Sequence, residues 1–188
     1  GGGRRGFVEA LVGAGLETVE VGSFVSPKGI PQMIGCDEVL RGGQHLAGEF
    51  HVLVPNEKGY DAARVAGAKV IAVFASASEG FSRSNINCSV AESIERFRPV
   101  AEAAAKANVK VRGYVSCVLA CPYEGEIAPA KVAQVAKALF DMGCYEVSLG
   151  DTIGAGTPLR TKRMIEAVRK VVPVGKLAGH YHDNYGRA

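Results

Sequence analysis

The stretch Lys110–Cys117, KVRGYVSC, carries the pattern that decides the fold of this chain. Within it, Val111 and Val115 alternate with Arg112 and Tyr114. Because successive side chains of a strand point to opposite faces, the stretch predicts a strand with one apolar and one polar face. A central strand of an open parallel sheet is instead apolar on both faces.

Similar short runs recur along the chain and are separated by helical stretches. The predicted strands are Thr18–Phe24, Phe50–Val54, Lys69–Ala75, Lys110–Cys117, Tyr145–Leu149 and Leu177–His182. The predicted helices are Gly6–Ala14, Cys36–Leu46, Lys58–Ala66, Val90–Ala107, Pro129–Met142 and Pro158–Val171. Strict alternation of strands and helices predicts an α/β fold with a parallel sheet.

The polar residues of these strands share one side of the sheet, where Arg112 could be offset by Glu20 and Glu146. This favours the interior of a TIM-type (β/α)8 barrel over an open sheet. The alternative, an antiparallel sheet with one wet face, does not suit the helical connections. A full barrel takes about 250 residues, so 188 residues are too few for one. The six predicted strands, with no linker between them, indicate a single partial domain, 1–188, with about six of eight strands.

Composition excludes several classes of function. The chain is 47% hydrophobic with a net charge of +3, and its basic residues are scattered, so nucleic-acid binding is not indicated. No apolar run approaches the length of a membrane span, and no signal peptide is recognisable. Five cysteines at irregular spacings predict buried thiols in a reducing compartment.

The residues best suited to chemistry lie at predicted strand ends. His180 and His182 are two residues apart, so both imidazoles project to one side and could share a metal ion. Asp151 follows the preceding strand and is either a site carboxylate or a turn residue. Glu20 lies between two valines, where it could orient a reacting group or form a structural ion pair.

Other segments are less specific. Glycine-containing Gly150–Gly156 does not match a dinucleotide fingerprint, and no phosphate-binding P-loop occurs. A long polar loop that faces substrate is predicted over Ser76–Gly80 and Asn85–Cys88. The alternative is a helix entry capped by Asn87 or Ser89.

Six runs in this order together resemble 3-hydroxy-3-methylglutaryl-coenzyme A lyases from Gly6 onward. They are Val21–Lys28 (VGSFVSPK), Asn85–Ser89 (NINCS), Val111–Cys117 (VRGYVSC), Cys121–Gly125 (CPYEG), Ser148–Gly154 (SLGDTIG) and His180–Asp183 (HYHD). The resemblance implies cleavage of the acyl-CoA to acetyl-CoA and acetoacetate, a reaction of leucine degradation and ketone-body formation. It also implies Mg²⁺ or Mn²⁺, which holds the hydroxyl and carboxylate oxygens of the substrate. A base removes the hydroxyl proton, and a cysteine on a mobile loop protonates the acetyl-CoA enolate.

The resemblance also assigns residues. His180 and His182 match metal ligands, His180 with a part in proton transfer. Residues matching the other active-site groups are Glu20, Asp151 and Arg112, and those matching contacts to substrate or its coenzyme A arm are Ser23, Asn85 and Ser89. A homodimer in the cytoplasm is implied, with the mitochondrial matrix as the alternative if a targeting segment precedes Gly1.

The family pattern also contains an Arg-Asp pair before this segment and a catalytic-cysteine loop and asparagine ligand after it. None of the five cysteines matches the catalytic one, so we expect the 188-residue chain alone to lack lyase activity. Two other readings stay open. One is a related metal-dependent barrel enzyme acting on a 2-oxoacid, either a 4-hydroxy-2-oxoacid aldolase or a homocitrate- or isopropylmalate-type synthase. The other is a non-catalytic domain that binds metal or a partner.

Overall fold

The computed structural model describes residues 2–25, 34–184 and 186. Eight strands and seven α-helices are assigned in this part of the chain. In chain order they are α1 (Gly2–Gly13), β1 (Thr18–Ser23), α2 (Cys36–Gly43), β2 (Glu49–Leu53), α3 (Glu57–Val65), β3 (Val70–Ser76), α4 (Glu79–Ile86), α5 (Val90–Lys106), β4 (Lys110–Ser116), β5 (Ala120–Cys121), β6 (Gly125–Glu126), α6 (Pro129–Asp141), β7 (Glu146–Asp151), α7 (Pro158–Val168) and β8 (Leu177–Tyr181). A 3-10 turn, Val174–Lys176, precedes β8. No helix among these residues is long and apolar enough to cross a bilayer.

Six strands form one sheet in the order β1-β2-β3-β4-β7-β8, and β5 pairs with β6 in a small antiparallel hairpin. The residues divide into two compact units, 1–73 with 102–111 and 74–101 with 112–188. The predicted α/β fold of barrel type with six parallel strands is confirmed. All six predicted strands and all six predicted helices are found, with ends that differ by at most four residues.

The first unit contains the parallel pairs β1–β2 and β2–β3. Its core is apolar, and Val52 and Ile71 are fully buried on neighbouring strands. Helix α2 approaches β1 closely at Gly22, which lies at a β-bulge with φ 154°. A Cβ at this position would lie 2.7 Å from the Cys36 sulfur, so the packing of α2 requires glycine here.

The second unit contains the parallel pairs β4–β7 and β7–β8, with α6 and α7 in contact with each other. Leu139 of α6 is fully buried, and a Cβ on Gly113 of β4 would lie 3.1 Å from its Cδ1. Leu149 and Met164 are buried in the same unit. The missing side chain at position 113 therefore lets α6 pack directly on the strand, which fixes the sheet whose ends carry the candidate site.

Burial alternates along β4 and β1 as the sequence predicts, but not along β7, where Ser148 is buried together with Val147 and Leu149. In β4 the valines and Gly113 are buried, whereas Arg112, Tyr114 and Ser116 are partly exposed. In β1 the valines are buried and Glu20 is exposed. Arg112 and Tyr114 thus lie on the parity opposite the valines, as predicted, and Glu20 between its two valines is exposed rather than buried.

The segment that follows β3 differs from its prediction. The long polar loop predicted over Ser76–Cys88 is wrong, because most of it is helix α4. Ser78 caps this helix by accepting a hydrogen bond from the Phe81 amide, and Asn87 ends it with φ 52°. The alternative of a helix entry is the correct one.

The predicted buried thiols are confirmed, since all five cysteines are buried and free.

Candidate active site at the carboxyl ends of β7 and β8

The histidine pair lies at the end of β8. His180 and His182 are both exposed, and their ring centroids are 5.1 Å apart in an edge-to-face arrangement. The intervening Tyr181 is half-buried. Two accessible imidazoles therefore stand side by side, as the two-residue spacing predicts.

A backbone carbonyl orients one of these rings. His182 Nδ1 lies 2.9 Å from the carbonyl oxygen of Thr152, which follows β7 directly. A carbonyl can only accept a hydrogen bond, so this contact places the proton on Nδ1 and leaves the lone pair of Nε2 available. This is the arrangement that a metal-binding histidine usually has, with its second nitrogen held by a carbonyl or carboxylate.

The neighbouring aspartate is a structural anchor as well as a candidate site residue. Asp151 is buried, with 3% of its surface exposed, and ends β7 opposite Tyr181 in register. Its carboxylate accepts hydrogen bonds from the backbone amides of Ala155 at 3.1 Å and Gly156 at 2.8 Å. Burial, and secondarily the negative charge of Asp151, raises the pKa of the Tyr181 phenol. The turn role that the sequence left open for Asp151 is thus observed directly.

The loop after β7 has glycines where side chains could not fit. A Cβ on Gly156 would lie 2.7 Å from Asp151 Oδ2, and Gly154 has φ 62° with Asn184 Nδ2 only 2.4 Å from the place of its Cβ. Asn184 also donates to the Ile153 carbonyl at 2.8 Å. The segment 151–156 is therefore held tightly between the ends of β7 and β8.

Arg112 is held by an ion pair on the polar face of the second unit. Its guanidinium lies 2.6 Å from Glu146 Oε1, donates to the Tyr114 hydroxyl at 3.2 Å, and lies over the Tyr114 ring. Burial acts to lower the pKa of Arg112, but Tyr114 and Glu146 outweigh burial and raise it. The pairing with Glu146 is confirmed, since the two residues stand opposite each other in the β4–β7 register.

The three residues assigned to substrate contact have different surroundings. Ser23 at the end of β1 is buried, and its hydroxyl has no hydrogen-bond partner among the described residues. Asn85 is exposed on α4. Ser89 begins α5 in a capping box, because its hydroxyl accepts from the Glu92 amide and its own amide donates to the Glu92 carboxylate. Ser26, Pro27 and Lys28 of the quoted family run lie outside the described residues.

The histidines are the part of this site that fits a metal ion. Imidazole nitrogen is a good ligand for divalent ions, and both rings are accessible. No group of three or more His, Cys, Asp or Glu side chains suited to a metal ion is found among residues 2–25, 34–184 and 186. Among the described residues, the two imidazoles are thus the groups at this end of the sheet that could serve an ion.

Sequence reasoning missed the role of Thr152 and the small β5–β6 hairpin. A threonine directly after a strand gives no signal of its own, because its contribution is a backbone carbonyl. The hairpin strands have two residues each, too short for a periodic pattern. Glu124 in this hairpin accepts a hydrogen bond from the Gly80 amide at the start of α4.

Comparison with known proteins places these features in a family. Residues 4–188 match the HMGL-like family model. The chain is 58% identical to a 3-hydroxy-3-isohexenylglutaryl-CoA/hydroxymethylglutaryl-CoA lyase of Pseudomonas aeruginosa, over 96% of this chain and 61% of that protein. It is 57% identical to the mitochondrial hydroxymethylglutaryl-CoA lyase of Bos taurus, over 96% of this chain and 56% of that protein.

Solved structures agree with this. The crystal structure of hydroxymethylglutaryl-CoA lyase from Pseudomonas aeruginosa superimposes with a TM-score of 0.93 at 56% identity, covering 98% of this chain and 62% of that one. The chain thus spans less than two thirds of the length of these relatives. The family model covers residues 4–188, and relatives 57–58% identical align with 96% of the chain, so the chain belongs to the HMGL-like family.

Proposed function

We propose that the protein containing this chain cleaves 3-hydroxy-3-methylglutaryl-CoA to acetyl-CoA and acetoacetate. The observation that carries the proposal is identity of 57–58% to proteins named as lyases of this substrate, over 96% of the chain. The exposed histidine pair at the end of β8 supports it, because it lies where barrel enzymes place their active sites.

His180 and His182 would hold a divalent ion, Mg²⁺ or Mn²⁺, through imidazole nitrogen. Once bound, such an ion polarises oxygen atoms of the substrate and stabilises negative charge that develops on them. The proton on His182 Nδ1 points to the Thr152 carbonyl, so Nε2 is the nitrogen that would be available to the ion.

The reaction is the reverse of an aldol-type addition and needs groups that move protons. The tertiary hydroxyl loses its proton to a base, its oxygen becomes the ketone of acetoacetate, and the C–C bond electrons pass to the thioester fragment. That fragment then gains a proton and leaves as acetyl-CoA. His180 is accessible, so we assign it to this proton transfer alongside its metal contact.

The remaining assigned residues would bind and orient. Arg112, held by Glu146 and Tyr114 near the amino ends of β4 and β7, would support the polar face of the sheet that carries the site. Asp151 holds the loop after β7, and Glu20 contributes a carboxylate on the exposed parity of β1. Ser23, with its buried hydroxyl lacking a partner in the described chain, fits a contact to substrate.

Substrate binding would also involve α4 and the start of α5. Asn85 is exposed and does not cap a helix. The Ser89 hydroxyl accepts a hydrogen bond from the Glu92 amide and can still donate its own hydrogen. We assign both to the coenzyme A arm. A homodimer in the cytoplasm is retained as part of the proposal.

The decisive experiment is an assay of acetoacetate formation from 3-hydroxy-3-methylglutaryl-CoA with Mg²⁺ or Mn²⁺, using the gene product that contains these residues. We expect turnover that His180→Ala reduces by at least about 100-fold. The matched control is His45→Ala, an exposed histidine distant in sequence, which should leave turnover unchanged. The isohexenyl analogue, offered in parallel, tests the breadth of the acyl site.

Two outcomes would contradict the proposal. Cleavage or condensation of a 2-oxoacid in place of the acyl-CoA would identify a related metal-dependent aldolase or synthase. Metal binding without product from either substrate would identify a non-catalytic domain.

A further inference from the structure

Thr152 makes two contacts that link the end of β4 to the histidine pair. Its backbone carbonyl accepts a hydrogen bond from His182 Nδ1 at 2.9 Å. Its side-chain Oγ1 accepts a hydrogen bond from the amide of Cys117 at 2.8 Å. One residue thus joins the segment after β4 to the segment after β8.

The Cys117 end of this link is rigid. Cys117 is fully buried and has φ 59°, a left-handed conformation that is unfavourable for a residue with a side chain. Its amide is turned toward Thr152 and is shielded from water, so loss of the threonine oxygen would leave a buried donor unpaired. An unpaired buried donor is costly, and the backbone would move to satisfy it.

The His182 end of the link determines which nitrogen carries the proton. With Nδ1 donating to the carbonyl, the neutral ring has its lone pair on Nε2. If the carbonyl turned away, this constraint would be lost, and the ring could rotate or carry its proton on Nε2. A ring with the proton on Nε2 has no lone pair there for a ligand.

We propose that Thr152 is a positioning residue, which uses its hydroxyl to fix its own carbonyl and so holds His182 with Nε2 ready for a divalent ion. This rests on the metal site of the proposed function. The flanking loop keeps its own anchors, the Asp151 carboxylate on Gly156 and the Asn184 amide on Ile153, so substitution of Thr152 should leave the loop folded.

The test compares Thr152→Val, which removes the acceptor but keeps the shape, with Thr152→Ser, which keeps the acceptor. The first readout is the histidine nitrogen spectrum of metal-free protein by NMR, at a pH where imidazole is neutral, with His182→Gln to assign the signals. We expect His182 in the Nδ1–H form in the unsubstituted protein and in the serine variant. The valine variant should show an increased Nε2–H population.

The second readout is the dissociation constant for Mn²⁺, measured by electron paramagnetic resonance. Loss of a group that orients a ligand typically weakens metal affinity by about 10–100-fold, and we expect at least tenfold for Thr152→Val with recovery in Thr152→Ser. Unchanged tautomer and Mn²⁺ affinity in the valine variant would overturn the positioning role. An unsubstituted protein that shows the Nδ1–H form but does not bind Mn²⁺ would instead overturn the proposed metal site, and with it the purpose assigned to Thr152.

Discussion

Replacing Asp151 with asparagine should loosen the loop that carries Thr152. The carboxylate accepts from two backbone amides, at 3.1 and 2.8 Å, and an asparagine oxygen can replace only one of its two oxygens. The loss of one hydrogen bond to a charged group costs about 1.5–3 kcal/mol. The close approach of Gly156, where a Cβ would lie 2.7 Å from Oδ2, leaves little room for a water to replace the lost partner. We therefore expect the free energy of unfolding to fall by about 2–3 kcal/mol.

Urea unfolding with linear extrapolation measures this change. The matched control is Asp141→Asn, the same chemical change at an exposed aspartate paired with Lys137 on α6, which should cost less than about 0.5 kcal/mol. Equal stability of the Asp151 variant and the unsubstituted protein would refute the reasoning. It would mean that the two amides find other acceptors when the charge is removed.

Three further changes test the fold. Leu139→Ala removes a fully buried side chain and should lower the free energy of unfolding by about 2–5 kcal/mol in urea titrations. Leu159→Ala, at an exposed site, should change it little, and similar losses in the two variants would contradict the assigned burial. The hydrogen bond from Lys110 lowers the pKa of Glu49. The stability lost in Glu49→Gln should therefore be largest above the ordinary glutamate pKa and should vanish as pH falls through the lowered pKa. A difference in urea midpoints that does not change with pH would contradict this. Gly154→Ala forces a side chain into φ 62° and should cost at least about 1 kcal/mol by the same measurement, so an unchanged midpoint would show that the loop adjusts freely.

The sheet could be predicted from sequence because strands alternate with helices and because β1 and β4 have one apolar and one polar face. The alternation in β4 also placed Arg112 opposite Glu146, a pairing that follows once the parallel register is known. Helix α4 could not be predicted in the same way, because its sequence EGFSRSNI has no apolar stripe. It is stabilised from outside its own sequence, in part by the Glu124 carboxylate on the Gly80 amide.

The site shows a similar division. The two-residue spacing of His180 and His182 was sufficient to place both rings on one side at the end of β8. The double role of Asp151 was not decided by sequence, since a carboxylate after a strand suits both a loop anchor and a reacting group. The contribution of Thr152 depends on a carbonyl direction, which only three-dimensional structure reveals.

The proposed function depends on His180 and His182 binding one divalent ion together. Electron spin echo spectroscopy of Mn²⁺ added to the protein detects imidazole nitrogen bound to the ion. We expect nitrogen modulation from two imidazoles in the unsubstituted protein and from one in His182→Gln. Mn²⁺ bound with no imidazole nitrogen, or with the same modulation in the variant, would contradict it.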